Sequence, residues 1–498
     1  MNIKSLLAKP FANVIYRQIL KERHNALQDQ QSILNQLVKA GKSTIFGKQH
    51  KFDQIKNPLE FQEAVPLRDY EAFKTYIEQI KKGTQNVLWK GKPIYFAKTS
   101  GTTSGVKYIP ITKDSISNHI NGARNALLTY MAITGENQFV NGRMIFLSGS
   151  PVLERVAGIP TGRLSGIVNH HIPAYLRSNQ LPSYETNCIE EWEEKLDRIV
   201  DETILKNMTL VGGIPPWMQM YFDRIVEKSG KSVKEVFPNL QVLVQGGVNF
   251  EPYQSKLFDT IGKTMDTIEL FPASEGFFAF QDTRDEQGLL LNTNSGIYFE
   301  FIPLAQIQEP NPKRLNLSQV ALGVQYALVI NSNAGLWGYN IGDTVKFVSI
   351  DPYRIIVTGR VKHFISAFGE HVIGEEVEAA MLQVANEMNA SIVEFTVAPY
   401  IAQGEGKSYH EWLVEFERAP LDMEMFKAKL DKAMCAKNVY YQDLIAGNIL
   451  APLVVTVVPK NTFIDYMKSE GKLGGQNKVP RLSNDRKIAD AIHIQLSK

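Results

Sequence analysis

The chain has 498 residues, 44% hydrophobic and 21% charged, with 54 Lys plus Arg against 52 Asp plus Glu, a formal charge of +2. At about 150 residues per domain this is roughly two to four domains of ordinary globular composition, and the near balance of charge excludes the broad basic field of a nucleic-acid or acidic-membrane binder. Two widely separated cysteines, Cys188 and Cys435, exclude a disulfide framework and a CxxC motif and point to a reducing, cytoplasmic setting.

Lys9 and Pro10 cut the N-terminal apolar stretch too short for a signal-peptide core, and no run approaches the roughly 20 apolar residues of a membrane helix. From Phe11 to Ala40 apolar residues recur at three- and four-residue steps (Val14, Ile15, Ile19, Leu20, then Ile33, Leu34, Leu37, Val38), predicting helix that Gly41 stops. A second helix is predicted over Tyr70–Lys81. From Met144 the texture changes to short apolar runs bounded by Gly, Pro or Asn: Met144–Leu147, Thr209–Val211, Val242–Gln245, Thr267–Phe271, Ile297–Ile302 and Tyr326–Ile330. Helical patterns at Ile189–Thr203 and Trp217–Lys228 fall between them, so the fold class is α/β, layered, with mixed sheets. Strands follow one another without helix from Leu289 to Ile356, which predicts an antiparallel part. After Thr358-Gly359-Arg360 the pattern reads helix (Glu375–Met388), strands (Val393–Ala398, His410–Phe416), helices (Met423–Ala436 and one near Tyr440), strand (Leu453–Val457) and a Gly-rich loop. We expect a large domain over 1–358 and a small α+β domain over 359–498.

The most informative segment is Ser100-Gly101-Thr102-Thr103-Ser104-Gly105-Val106-Lys107. Glycines let backbone N–H groups converge and clustered hydroxyls add donors, so the loop can cradle phosphate oxygens, with Lys107 adding charge; a surface turn is the alternative. It is not a Walker loop, which needs Gly, four residues, then Gly-Lys-Ser/Thr. Gly41-Lys42-Ser43-Thr44 fails the same test, because Gln36 stands where the first glycine belongs, and reads as a helix C-terminal turn.

This loop resembles the first motif of adenylate-forming enzymes, and among them it is most similar to the auxin-responsive acyl-acid amido synthetase family and its bacterial members. Four further segments match in order, and Phe46-Gly47-Lys48 with Val65–Glu71 is family-like ahead of them. Phe271-Pro272-Ala273-Ser274-Glu275-Gly276 looks like the aromatic–Gly–Ala–Ser–Glu–Gly motif, with Pro272 in place of a glycine. An aromatic there can stack on adenine, Ala273 and Ser274 line the nucleotide, and the Glu275 carboxylate can hold the Mg²⁺ that bridges ATP phosphates. Gly338-Tyr339-Asn340-Ile341-Gly342-Asp343 resembles the Tyr–x–x–Gly–Asp motif, whose carboxylate, here Asp343, accepts both ribose hydroxyls; Asn340 replaces a commonly basic residue. Thr358–Glu370 looks like the hinge to a mobile C-terminal domain, with Arg360 on the ribose, Lys362 at the pivot near 359–362 and Gly369 capping a hairpin that meets the acceptor. Gly475-Gln476-Asn477-Lys478-Val479-Pro480-Arg481 resembles the Gln–x–Lys–x–Pro–Arg ending, whose lysine, here Lys478, meets the α-phosphate and the substrate carboxylate.

The resemblance implies an ATP- and Mg²⁺-dependent ligase that activates a carboxylic acid as acyl-AMP and passes the acyl group to an amino acid. A coenzyme A thiol acceptor and a non-catalytic nucleotide-binding protein are the alternatives; no nucleic acid or membrane partner is expected. Gly246, Gly247, Val248 and Trp217 are candidates for the acyl pocket, with core packing the equal alternative for Trp217, Tyr221 and Phe222. His170-His171 lacks ligand spacing for a metal and reads as core or pocket lining, and Glu190–Glu194 reads as a solvated helix face.

Overall fold

Parallel neighbours in a sheet need long crossovers while antiparallel ones need only turns, and both regimes occur in this chain. The computed structural model describes residues 3–497 apart from 101–105, 173–176, 248–249, 362–363, 366–371, 403–406, 447–449 and 475–477. Its strands are β1 (Tyr95–Ser100), β2 (Val106–Ile111), β3 (Arg143–Phe146), β4 (Glu154–Val156), β5 (Ile159–Gly162), β6 (Gln180–Leu181), β7 (Met208–Gly213), β8 (Val242–Gly246), β9 (Asp266–Ala273), β10 (Gly276–Phe280), β11 (Leu289–Leu291), β12 (Ile297–Pro303), β13 (Gln325–Ser332), β14 (Tyr339–Ile350) and β15 (Tyr353–Arg360). Five further strands follow: β16 (Phe364–Ile365), β17 (Val372–Ile373), β18 (Ser391–Tyr400), β19 (Tyr409–Arg418) and β20 (Val454–Val458).

A four-stranded sheet runs β2-β1-β5-β4, and an eleven-stranded sheet runs β12-β13-β14-β15-β11-β10-β9-β8-β7-β3-β6. From β9 to β6 the neighbours are parallel, and the helices Trp192–Thr203, Pro215–Ser229 and Glu251–Ile261 lie between their strands in sequence. From β9 to β11 and from β12 to β14 the neighbours are antiparallel, as expected for the run without helices. The fold is mixed α/β with a smaller α+β part at the C-terminus.

Chain contacts divide it into two compact units, 1–248 with 261–357 and 249–260 with 358–498. The division differs from one cut at 358 because residues of the helix Glu251–Ile261 join the C-terminal unit: Tyr253 Oη lies 2.9 Å from Glu394 and Lys256 pairs with Glu417 at 3.3 Å. In that unit β19 pairs antiparallel with β18 and parallel with β20. Its core joins Phe395, Trp412 and Val414 from the sheet to Val377, Met381, Phe426 and Leu430 from the helices Gly374–Glu387 and Met423–Lys437.

The single helix expected over 11–40 is two, Ile3–Glu22 and Ala26–Gly41. They bury their stripes on different partners, Ala12 and Ile19 in a cluster with Ala126 and Met131, but Ile33, Leu34 and Leu37 in one with Tyr298 and Leu328. Tyr70–Lys81 is a helix as predicted, with Asp69 accepting from the Ala72 N–H as its N-cap. Glu191 caps Trp192–Thr203 by accepting from the Glu193 and Glu194 amides, so part of the acidic run orders a helix start. Gly230 ends Pro215–Ser229 at φ +67° with open space around a would-be Cβ. Gly230→Ala is therefore expected to cost about 1 kcal/mol by backbone conformation alone, read as a lowered urea midpoint with an unchanged slope. No helix among the described residues is long and apolar enough to cross a membrane.

Candidate active site

In open α/β sheets ligands bind beyond the carboxyl ends of parallel strands, and glycines and motif residues gather at those ends. Gly246 ends β8, where a Cβ would stand 2.3 Å from the Leu270 carbonyl oxygen, so only glycine fits; Gly247 follows at φ +85°. Gly212 in neighbouring β7 has Phe146 where a Cβ would be. β9 ends in the Phe271–Glu275 segment, where Ala273 pairs with Gly276 and leaves Ser274 and Glu275, both part-buried, as the two-residue turn into β10.

Glu275 is held at this turn by Tyr339, whose Oη lies 3.5 Å from Oε1. Burial first, then the nearby Glu275, Tyr70 and Asp69, hold the Tyr339 phenol well above its usual pKa, so it stays protonated and donates to the carboxylate. Tyr339 begins β14 and is 1% exposed. Arg68 pairs beside it: its N–H donates to the Gly338 carbonyl (2.8 Å) and its carbonyl accepts from the Asn340 N–H (2.8 Å).

The spacing from Tyr339 to Asp343 is a β-bulge. Asn340 pairs with Val329 and Thr344 with Ala327, so residues 341–343 are out of step with one partner residue. Gly342 takes φ +86° and donates its N–H to Asn340 Oδ1 at 2.9 Å. A bulge re-aims a side chain; the one that follows the glycine is Asp343, 9% exposed.

β1 and β2 form a hairpin in which Ser100 opposes Val106 and Thr99 opposes Lys107. Gly101, Thr102, Thr103, Ser104 and Gly105 lie outside the described residues. Lys107 Nζ sits 5.7 Å from the Tyr70 ring centre, and Tyr70 Oη accepts from the Tyr108 N–H at 2.8 Å. Lys107 and Tyr70 thus stand together at the hairpin and Tyr339 and Glu275 at the β9 turn, with Tyr70 near enough to help raise the Tyr339 pKa. Among the described residues no group of three or more His, Cys, Asp or Glu could hold a metal.

One expectation changes, and of two open readings the packing favours core. Phe271 is 5% exposed and meets Phe278 edge-on at 5.1 Å inside the main core, so its ring serves packing and offers no open face for adenine. Trp217, 4% exposed, lies against Trp192 at 4.5 Å, and Tyr221 and Phe222 are fully buried, which makes them core between two helices. His170, exposed, has its Nε2 2.9 Å from the Pro151 carbonyl, and His171 Nε2 lies 3.2 Å from the Tyr95 hydroxyl. Val248, Lys362 and Gly369 lie outside the described residues.

In the C-terminal unit, Arg360 ends β15 exposed, and Lys478 is exposed just ahead of an anchored segment. There Thr396 Oγ1 donates to the Pro480 carbonyl (2.7 Å), the Val397 N–H to the Arg481 carbonyl (2.9 Å) and the Ser483 N–H to the Val397 carbonyl (2.9 Å). The Arg481 guanidinium donates to Glu378 at 2.8 Å and to Glu394, and lies over the Phe395 ring. Tyr339 and Arg481 both sit inside the matched motifs, but only the folded chain shows their partners.

The fold is shared with a 2-hydroxyisobutyryl-CoA ligase, which superposes with a TM-score of 0.60 at 14% identity, over 96% of this chain and 94% of that one. The match is tighter to the GH3.15 acyl acid amido synthetase, with a TM-score of 0.78 at 15% identity, over 96% and 95% of the two chains. The chain belongs to the GH3 family: the N-terminal domain of that family matches residues 15–188, its central domain 290–360 and its C-terminal domain 375–487. It is 23% identical to the indole-3-acetic acid-amido synthetase GH3.3 of Arabidopsis thaliana, over 91% of this chain and 88% of that one. It is 22% identical to the jasmonoyl-L-amino acid synthetase JAR4 of Nicotiana attenuata, over 91% and 90%.

Proposed function

We propose that the chain is an ATP-dependent acyl-acid amido synthetase. The observation that carries the reading is the Tyr339-held Glu275 at the β9–β10 turn, in a chain that matches all three GH3 domains in order. In the first half-reaction a carboxylate oxygen bonds to the α-phosphorus of ATP, the bond to the bridging oxygen breaks, and pyrophosphate leaves. In the second, an amino acid nitrogen bonds to the acyl carbon, loses a proton, and AMP departs. The protein's task is to position these groups and offset charge.

Glu275 suits Mg²⁺, which when bound neutralises charge on the phosphates. Asp343 accepts the ribose hydroxyls, joined by Arg360. Ser100, the 101–105 loop and Lys107 hold phosphate oxygens, Ala273 and Ser274 border the nucleotide, and Gly246-Gly247 border the acid. Lys478 serves the first half-reaction. The C-terminal domain then turns about 359–362 and brings the Gly369 segment to the acceptor, a gating known in catalysis.

A screen of carboxylic acids by ATP–pyrophosphate exchange tests the first step, and product masses with amino acids or coenzyme A as acceptor test the second. Exchange with no acid would refute the ligase, and a thioester as the sole product would move the acceptor to coenzyme A. The turning domain predicts that brief trypsin treatment cuts first after Arg360 or Lys362, giving two fragments by mass spectrometry. First cuts elsewhere would count against a joint at 359–362.

A further inference from the structure

Beneath the turn that presents Tyr339 lies a buried carboxylate that the proposed chemistry does not use. Glu300 on β12 and Asn331 on β13 are both fully buried. Asn331 Nδ2 donates to Glu300 Oε2 at 2.9 Å, and Asn331 Oδ1 accepts from the Gly338 N–H at 2.6 Å. Arg314, 7% exposed, pairs with Glu300 at 3.6 Å and donates to the Gln62 carbonyl at 2.6 Å, while Gln62 Nε2 donates back to the Arg314 carbonyl at 3.0 Å. Gly338 takes φ +57°, and a Cβ there would meet the Pro66 oxygen at 2.5 Å and Arg314 Nη1 at 3.1 Å.

The chemistry of the pair sets a direction. A carboxylate only accepts hydrogen bonds, so the amide of Asn331 must turn its nitrogen to Glu300 and its oxygen to the Gly338 N–H. The Gly338 carbonyl is held from outside by the Arg68 N–H. The peptide that enters Tyr339 is thereby fixed on both sides, and the phenol of Tyr339 reaches Glu275. Stability does not require this arrangement, because well-packed apolar residues commonly replace a buried ion pair at no loss.

We propose that Glu300, Asn331 and Arg314 are positioning residues that set Tyr339 and, through its hydroxyl, the Glu275 carboxylate for the adenylation step. The inference rests on the reading of Glu275 given above.

The test is a double-mutant cycle between Glu300→Gln and Tyr339→Phe, read as the Mg²⁺ concentration that half-saturates ATP–pyrophosphate exchange. Each single change is expected to raise it about tenfold, the lower end for partners that orient a metal ligand. The double variant should be no worse than the poorer single variant, because both act through one hydroxyl. Consumption of supplied acyl-adenylate by the acceptor should stay unchanged. Effects that multiply in the double variant, an unmoved Mg²⁺ requirement, or equal loss in both half-reactions would overturn the proposal. If Glu300→Gln does not fold, Asn331→Ser, which leaves a hydroxyl for the Gly338 N–H, enters the same cycle with the same expectations. Glu275→Gln separates the two claims: an unmoved Mg²⁺ requirement there would refute the metal reading of Glu275 itself.

Discussion

Lys478→Ala is expected to lower ATP–pyrophosphate exchange by at least about 10²-fold, the loss that follows removal of one charge-stabilising donor from a transition state. Negative charge gathers on the α-phosphate and the attacking carboxylate as the adenylate forms, and an ammonium group there is most useful at that moment. Lys478 is suited to the task by its foundation. It is exposed, yet Pro480, Arg481 and Ser483 just after it are tied to Thr396 and Val397 of β18, and Arg481 is clasped by Glu378 and Glu394. If the lysine acts only in adenylation, the same purified variant should still pass a supplied acyl-adenylate to the acceptor. Its melting temperature should be unchanged, since the side chain is not part of the core. Equal loss in both half-reactions would make Lys478 structural or active throughout. No loss in either would move the catalytic cation elsewhere, with Lys107 the next to test.

Most of the sheet was legible because buried strands leave runs of apolar residues whatever their neighbours do. Val242–Gln245 and Ile297–Ile302 each fall within a residue of β8 and β12 at both ends. The helix Ile116–Thr134 was not legible, although it has 19 residues. Its buried face carries Asn118 and His119, and Asn118 accepts from the Phe277 N–H and donates to its carbonyl. Polar residues at buried positions erase the apolar period that sequence reading depends on.

The site divided in the same way. Motif order singles out Glu275, Asp343 and Lys478 as the residues of the proposed site, because each proposed role demands a residue type at a fixed spacing. Which aromatic faces outward is decided by packing, so Phe271 read as an open ring and is core. Gln62, Glu300, Arg314 and Asn331 come together from a helix, a loop and two strands separated in sequence, and no local pattern marks them. The Tyr–x–x–Gly–Asp spacing gains its physical meaning only from the register, which shows the bulge that the glycine permits.

That bulge gives Asp343 its expected role. Asp343→Ala should weaken ATP binding about tenfold to a hundredfold, because a hydrogen bond to a charged group contributes about 1.5–3 kcal/mol and both ribose hydroxyls would lose their acceptor. Asp343 is 9% exposed, so the pair of hydroxyls would replace little bulk water and the loss belongs toward the upper end of that range. The comparison that isolates the ribose is ATP against 2′,3′-dideoxy-ATP, measured by calorimetry on both proteins. The native protein should prefer ATP strongly, and Asp343→Ala should bind the two nearly alike. The Mg²⁺ requirement, assigned to Glu275 at the β9–β10 turn, should stay where it is. An unchanged ATP affinity would remove Asp343 from the nucleotide site. A lost affinity with the preference for ATP intact would mean that Asp343 supports the bulge and another group reads the ribose.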